Sequence, residues 1–292
     1  AAQRTTENVI DFMVEKVLNL TDHSQYVLRL ASCIGNRFSL FLLARVAEKP
    51  PGDILGDLRE SLGLGIIVTD GESVRGQRSP IPLAPAHPAH TAWSPAQSAR
   101  AGDIHFEFLH DKVRQAVLAL VSEDEKIRIH LRIGRLIMED TRPERLSGRI
   151  FNIVNHLNQG AVLLDAPAEK HRLAELNLMA GKKAKGAAAF SQAAEYLKAG
   201  EALLSDADWH DHYALMFDLK KNRMECEYLS LNYEEAEALF GILLDRAASA
   251  LDRAAVYNQK MIMLAGLAKH EEALAIGLAG LGLLGVPLTG SA

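Results

Sequence analysis

The sequence predicts a mainly α-helical protein that carries one small β-hairpin. Apolar residues recur at helical spacing through most of the chain, beginning with the stretch 8–20. Two short runs, 65–69 and 104–108, are β-branched or alternate between apolar and polar residues, which is typical of strands. Beyond Asp111, the amphipathic stretches are separated by short breaks rather than by further strands.

The order of the N-terminal elements indicates a winged helix. Further short helices are predicted at 24–33, 38–47 and 53–62. Asp22, followed three residues later by Gln25, has the capping-box spacing that begins a helix. Helices, a strand, a loop and a returning strand follow one another as in a winged helix, with the strand pair as a small β-hairpin wing. We therefore predict a winged-helix domain over 1–120.

The segment 71–102 differs from its surroundings in composition. It contains five prolines among Ser, Ala, Gly and Gln residues. Such a segment has too few apolar side chains to offset the entropy that ordering would cost. We expect it to be a disordered insertion that enlarges the wing.

Three predicted helices in the C-terminal part begin with similar sequences. The stretches 190–197, 233–240 and 270–276 align without gaps and share an alanine at 193, 236 and 273. A small residue lets two helices approach closely, as in tetratricopeptide-like (TPR-like) repeats. We predict a TPR-like α-helical repeat array over 121–292. An irregular helical domain is the alternative, because the spacings are unequal and the usual Trp-Leu-Gly pattern is missing.

Composition and charge exclude several classes of protein. The 292 residues are 48% hydrophobic, which excludes wholesale disorder, and the net charge of −5 gives no general attraction to nucleic acid. The helix at 53–62, which would enter a DNA groove, carries three acidic residues and one arginine. No apolar run is long enough to span a membrane, and two distant cysteines exclude a disulfide framework. We expect a cytoplasmic protein without nucleic-acid or membrane partners.

The motifs of common enzymes are missing or misplaced. Gly280, Gly282 and Gly285 match a dinucleotide-binding fingerprint, but they lie at the end of a predicted helix instead of after a strand. In His210-Asp211-His212, the two histidines are two residues apart and point in different directions on a helix, so we expect no shared metal ion. The sequence predicts no catalytic residue and no metal site.

The segment 108–116 is the most informative one. It runs from the returning strand into a helix, with Asp111 as the expected N-cap and His110 at the corner, where an imidazole reaches a neighbouring domain or packs. The Leu-His-Asp-x-Val-Arg-x-x-Ala pattern resembles the Met-His-Asp motif of signal-transduction ATPases with numerous domains (STAND ATPases). In that class the histidine contacts the phosphates of ADP on the preceding domain. The resemblance implies a nucleotide-sensing role for His110 beside Asp111, although Leu109 departs from the motif's Met.

Several further strings resemble the middle region of giant bacterial sensor kinases. These proteins join a serine/threonine-kinase-like domain, a STAND ATPase, helical repeats, a sensor domain and a histidine kinase. The strings are 8–13, 30–38, 108–111, 152–158, 173–177 and 225–229. The resemblance implies a non-catalytic regulatory fragment whose partners are the upstream ATPase domain and the downstream sensor and kinase domains. It also implies protein partners for the repeats, no cofactor in this fragment, and ADP or ATP in the intact protein.

Two other functions are open at this point. One alternative is the effector or repeat region of an ATPase-type transcriptional regulator, and extra basic surface on the winged helix would favour it. A plain TPR-like adaptor with no nucleotide link is the other alternative, and a buried His110 would favour it.

Overall fold

The protein is mainly helical, as predicted, with one small three-stranded antiparallel sheet. The structure, a computed structural model, describes residues 15–69 and 104–285. The insertion expected at 71–102 therefore lies outside the described residues.

Among the described residues, helices and strands alternate in the N-terminal part of the chain, and the remainder is helical. The elements of the N-terminal part are α1 (Asp22–Ile34), β1 (Arg37–Ser39), α2 (Leu40–Ala47), α3 (Pro51–Gly63), β2 (Ile67–Thr69), β3 (His105–Phe108) and α4 (Asp111–Ala119). The helices that follow are α5 (Glu123–Glu139), α6 (Pro143–Gln159), α7 (Pro167–Gly186), α8 (Phe190–Glu201), α9 (Asp208–Asp211), α10 (Tyr213–Leu229), α11 (Tyr233–Arg246), α12 (Ala250–Gly266) and α13 (His270–Leu283). A single 3₁₀ turn, Ala161–Leu163, separates α6 from α7.

The chain divides into two compact units. The first unit comprises Ala1–Arg142 and Asn155–Leu163, and the second comprises Pro143–Val154 and Leu164–Ala292. Helix α5 thus falls in the first unit. The domain boundary predicted after residue 120 stays a prediction, because compactness alone does not show which part folds independently.

The sheet contains a strand that the sequence did not predict. Its order is β1-β3-β2, and Phe38 of β1 pairs with Phe106 of β3. The expected helix over 38–47 therefore begins only at Leu40. The reason is tertiary, because Phe38 is buried, and its ring stacks on Phe106 and lies tilted against Phe108, at centroid distances of 5.7 and 5.8 Å. A three-residue strand is too short for alternation to reveal.

A capping box is present at the start of one helix and is missing at the start of another. Ser122 and Glu125 bond each other's backbone N–H groups at the start of α5, as the spacing predicts. The box expected from Asp22 and Gln25 is wrong, because Thr21 is the N-cap of α1 and its hydroxyl accepts a backbone N–H bond. Asp22 is already the first helical residue, where its negative charge interacts favourably with the positive end of the helix dipole.

Three helical hairpins in the second unit share one type of turn. The hairpins are α7–α8, α10–α11 and α12–α13, and each turn contains a non-glycine residue in the left-handed region, with φ between 57° and 68°: Ala188, Leu231 and Ala268. The next residue in each turn donates its N–H to the carbonyl five residues back, at 2.9–3.0 Å. The predicted shared starts at Phe190, Tyr233 and His270 coincide with the starts of the second helices, and the shared alanines are buried.

A buried histidine pair links α5 and the end of α6 within the first unit. Nδ1 of His130 lies 2.8 Å from Nδ1 of His156, and the two rings stack with centroids 5.0 Å apart. Both residues are less than 8% exposed. One ring therefore donates and the other accepts, and protonating the acceptor would set two N–H groups against each other.

Acid is expected to destabilise the first unit through this pair. Burial, and then the charge of His130, lowers the pKa of His156 from 6.5 to about 4, and burial followed by Lys126 lowers the pKa of His130. Between pH 6.5 and pH 4 these histidines bind protons in the unfolded chain but stay neutral in the folded one. The free energy of unfolding is therefore highest above pH 6.5 and decreases as the pH falls toward 4. The loss is on the order of 3 kcal/mol. The test is to measure the midpoint of thermal unfolding of wild type and of His156→Gln between pH 4 and pH 6.5. If the midpoints of the two proteins fell equally with pH, the histidine pair would not be the cause of acid destabilisation.

Candidate functional site

The corner between β3 and α4 is held in place from two sides. The Phe108 N–H donates to the Asn36 carbonyl at 2.9 Å, and the Leu109 N–H donates to the Ile66 carbonyl at 3.1 Å. Phe108 is buried, whereas Leu109 and His110 are exposed. The sheet thus fixes the backbone of the corner while the side chains of its last two residues face solvent.

His110, rather than Asp111, is the N-cap of α4. Its backbone is extended (φ −147°, ψ 133°), and its Nδ1 accepts the Lys112 N–H at 3.2 Å. The expectation that Asp111 caps the helix is therefore wrong. Only a residue with extended backbone can bring a side-chain acceptor onto the first-turn N–H groups, and Asp111 already has helical geometry.

The carboxylate of Asp111 is engaged inside its own helix. Arg114 Nε donates to Oδ1 at 3.0 Å, and Gln115 Nε2 donates to Oδ2 at 2.6 Å. Arg114 also donates to the Ser32 carbonyl at 3.2 Å and so joins α4 to α1. Asp111 therefore helps to position the corner, and His110 is the residue of this pair that has a ring free to meet another molecule.

The cap also fixes the tautomer of a neutral His110. Because Nδ1 accepts a hydrogen bond, the ring proton of the neutral imidazole lies on Nε2. The exposed ring thus offers an N–H donor on the side away from the helix cap. A phosphate oxygen is a suitable acceptor for such a donor.

Gly280 and the two cysteines are packing residues. Gly280 lies within α13, and a Cβ there would come within 2.9 Å of Tyr257, so a small residue allows close approach of α12 and α13. Cys33 and Cys226 are buried, as expected, and burial raises the pKa of their thiols to about 11 and about 12. Both thiols are therefore protonated at neutral pH and poor nucleophiles.

The structure brings together one cluster that the sequence did not predict. His212 meets Asp208 and His171, and not its sequence neighbour His210. Asp208 and His212 are four residues apart, a spacing that places side chains on one helix face and could have been noticed. His171 comes from a distant helix, so no local pattern reveals it.

Comparison with known proteins gives a link to signal transduction. The chain is 30% identical, over 272 aligned residues, to a protein named hybrid signal transduction histidine kinase G from Dictyostelium discoideum. The alignment takes in 83% of this chain but only 8% of that relative, so the chain spans a small part of its length. No protein-family profile matches the chain, and no solved structure matches it. The bacterial source predicted above stays a prediction.

The helices were also compared with the requirements of a bilayer. Among the described residues, no helix combines the length and the apolar character that crossing a membrane requires.

Proposed function

We propose that this chain is a non-catalytic regulatory part of a signalling protein. Its first unit reads the nucleotide state of a neighbouring ATPase domain through His110, and its helical hairpins bind protein partners. The observation that carries the proposal is the exposed imidazole of His110 at a rigid corner, with one nitrogen capping a helix and the other available as a donor. Similarity to a hybrid histidine kinase over 83% of the chain supports a signalling role.

The topology of the first unit supports a winged helix. Helix α1, strand β1, helices α2 and α3, and strands β2 and β3 follow one another in that order, with β3 between the other two strands. In a winged helix of this order, β2 and β3 flank the wing, and His110 follows β3. A contact from His110 to another domain would then be made by a corner whose backbone is hydrogen-bonded to Asn36 and Ile66.

The second unit supports a helical-repeat scaffold of the TPR-like kind. Its three hairpins share turn geometry, a buried small residue and a gap-free alignment of their second helices. Repeats of this kind build extended surfaces because each hairpin packs only on its neighbours. Such a surface suits the binding of other proteins or of further domains of the same protein.

The proposed mechanism is a two-state switch. With ADP on the ATPase domain, Nε2–H of His110 donates to a phosphate and holds the first unit docked. Exchange to ATP changes that contact and releases the helical hairpins to pass on the signal. The contact can bias the equilibrium only by the difference in its strength between the two states. ATPase and kinase activities, the other domains and the cytoplasmic location belong to this proposal for the intact protein.

The two alternatives receive different support. A DNA-binding regulator is disfavoured because the exposed face of α3 presents Asp53 and Glu60 beside a single Arg59. An adaptor without a nucleotide link is favoured by exposed apolar side chains on the last hairpin, among them Ile262 and Leu274, at 55% and 64% exposure. The exposure of His110, in contrast, favours the sensor.

The decisive experiment measures ADP and ATP binding by calorimetry in a longer protein that includes the neighbouring ATPase domain. His110→Asn removes the imidazole but keeps a good N-cap acceptor, so the corner stays folded. We expect this variant to bind ADP about tenfold more weakly, as loss of a hydrogen bond to a charged phosphate predicts, with ATP affinity nearly unchanged.

The exposed His23 provides the matched control, since it is another histidine on the same unit. His23→Ala should bind ADP as wild type does. Unchanged ADP affinity in His110→Asn would refute the sensor and move the adaptor to the front.

A further inference from the structure

Three metal-type ligands from two segments of the second unit meet in one place. His171 lies on α7, Asp208 begins α9, and His212 lies between α9 and α10. One ligand atom of each residue lies within 4.8 Å of the others, and no other group of three such residues is found in the described part of the chain. His171 Nε2 is 2.6 Å from Asp208 Oδ1, and the rings of His171 and His212 lie 3.9 Å apart between centroids.

The carboxylate at the centre of this cluster is held in position. Asp208 is 6% exposed, and its Oδ2 accepts from both the backbone N–H and the hydroxyl of Ser205, at 2.7 and 2.9 Å. Burial opposes its ionisation, but the hydrogen bonds from Ser205 and His171 outweigh burial and keep the pKa of Asp208 below its usual value. Oδ1 is thus a charged, fixed oxygen that faces the imidazole of His171.

From this arrangement we propose that His171, Asp208 and His212 bind a divalent transition-metal ion of the zinc class. Two imidazole nitrogens and one carboxylate oxygen suit Zn²⁺, Co²⁺, Ni²⁺ or Cu²⁺, whereas Mg²⁺ and Ca²⁺ prefer oxygen ligands alone. Ser205 is the supporting residue that orients the carboxylate, a role that outer partners of metal ligands commonly have. A fourth position stays open to water.

The side-chain movements that binding requires are small. Zinc–ligand bonds of about 2.1 Å at tetrahedral angles separate the ligand atoms by about 3.4 Å. His171 and Asp208 must then move apart from 2.6 Å by less than an ångström, while His212 closes from at most 4.8 Å. His212 is exposed and His171 is partly exposed, so rotations of their side chains can supply this adjustment.

A bound ion would join the first hairpin to the connection that leads to the second. His171 belongs to the first helix of α7–α8, whereas Asp208 and His212 lie between that hairpin and α10–α11. The metal would therefore fix the position of one hairpin relative to the next. This role is independent of nucleotide sensing by His110.

The test is a zinc titration of the tag-free chain in competition with a chromophoric chelator, together with Co²⁺ absorption spectroscopy. We expect one equivalent of Zn²⁺ to bind and Co²⁺ to show the visible bands of a tetrahedral site. His171→Ala, Asp208→Asn and His212→Ala should each weaken binding about a hundredfold, and Ser205→Ala about tenfold. Zinc at a hundredfold excess over its dissociation constant should raise the midpoint of thermal unfolding by about 5 °C or more.

The controls separate this cluster from other histidines. His210→Ala removes an exposed histidine from the same short helix, and a double variant removes His87 and His90; both should bind zinc as wild type does. His212→Ala is the safest ligand variant, because an exposed side chain contributes little to folding. The proposal would be overturned if wild type did not bind zinc or if His212→Ala bound it with wild-type affinity. It would also be overturned if His210→Ala lost as much zinc affinity as the ligand variants do.

Discussion

Arg223→Met is expected to lower the free energy of unfolding of the second unit by about 3–5 kcal/mol. The Arg223 side chain is 9% exposed and bonds three carboxylates from three helices: Glu201 of α8 at 3.0 Å, Glu227 of α10 at 3.2 Å, and Glu235 of α11. Methionine fills a similar volume but leaves the buried carboxylate of Glu227 without this cation, whereas Glu201 keeps its ion pair with Lys220 at 2.9 Å. An uncompensated buried charge, rather than the lost attraction, produces most of the cost.

The measurement is urea unfolding followed by tryptophan fluorescence in a chain that carries Trp93→Phe, so that Trp209 of the second unit is the reporter. Arg223→Lys keeps the charge but loses the planar fork, so its midpoint should fall between those of wild type and Arg223→Met. Adding Glu227→Gln to Arg223→Met should recover part of the loss, because it removes the buried carboxylate that has lost its cation. Equal midpoints for Arg223→Met and wild type would show that the network contributes nothing to stability.

The second large effect is expected at Gly160, where α6 ends beside α5. A Cβ at this position would lie 2.5 Å from the Cβ and 2.8 Å from the Cα of Leu131. Backbone atoms cannot rotate away as a side chain can, so Gly160→Ala must push the two segments apart. We expect a loss of about 3 kcal/mol in the stability of the first unit, at the upper end of the usual cost of overpacking.

Gly148 gives a control for this substitution, because it lies within α6, the helix that ends just before Gly160, but is exposed and has no atom within 4 Å of an added Cβ. Gly148→Ala should stabilise the helix by about 0.5–1 kcal/mol, as alanine does in a helix interior. Thermal unfolding by circular dichroism compares the two variants. Similar midpoints for both would contradict the close packing of Gly160 on Leu131.

The elements that could be predicted from the sequence are those that depend on neighbouring residues. Helical spacing identified the hairpin helices and their shared starts, and Ser122 with Glu125 identified the beginning of α5. Strand β1 escaped prediction because three residues carry no period, and Phe38 becomes part of a strand only when it meets Phe106. Local pattern also misassigned the cap of α4, since Asp and His can both accept a hydrogen bond there and only the backbone angles select between them.

The two candidate sites differ in how far neighbouring residues in the sequence predict them. The sequence by itself determined the helical class, the strand-to-helix corner and the place of His110 on it, because period, turn and cap are set by residues within a few positions of one another. The tertiary structure decided that His110 is exposed, that His171 meets Asp208 and His212, and that Gly160 packs on Leu131. These contacts join residues that lie far apart in the chain. They form only when helices pack face to face, and no local propensity specifies which faces meet.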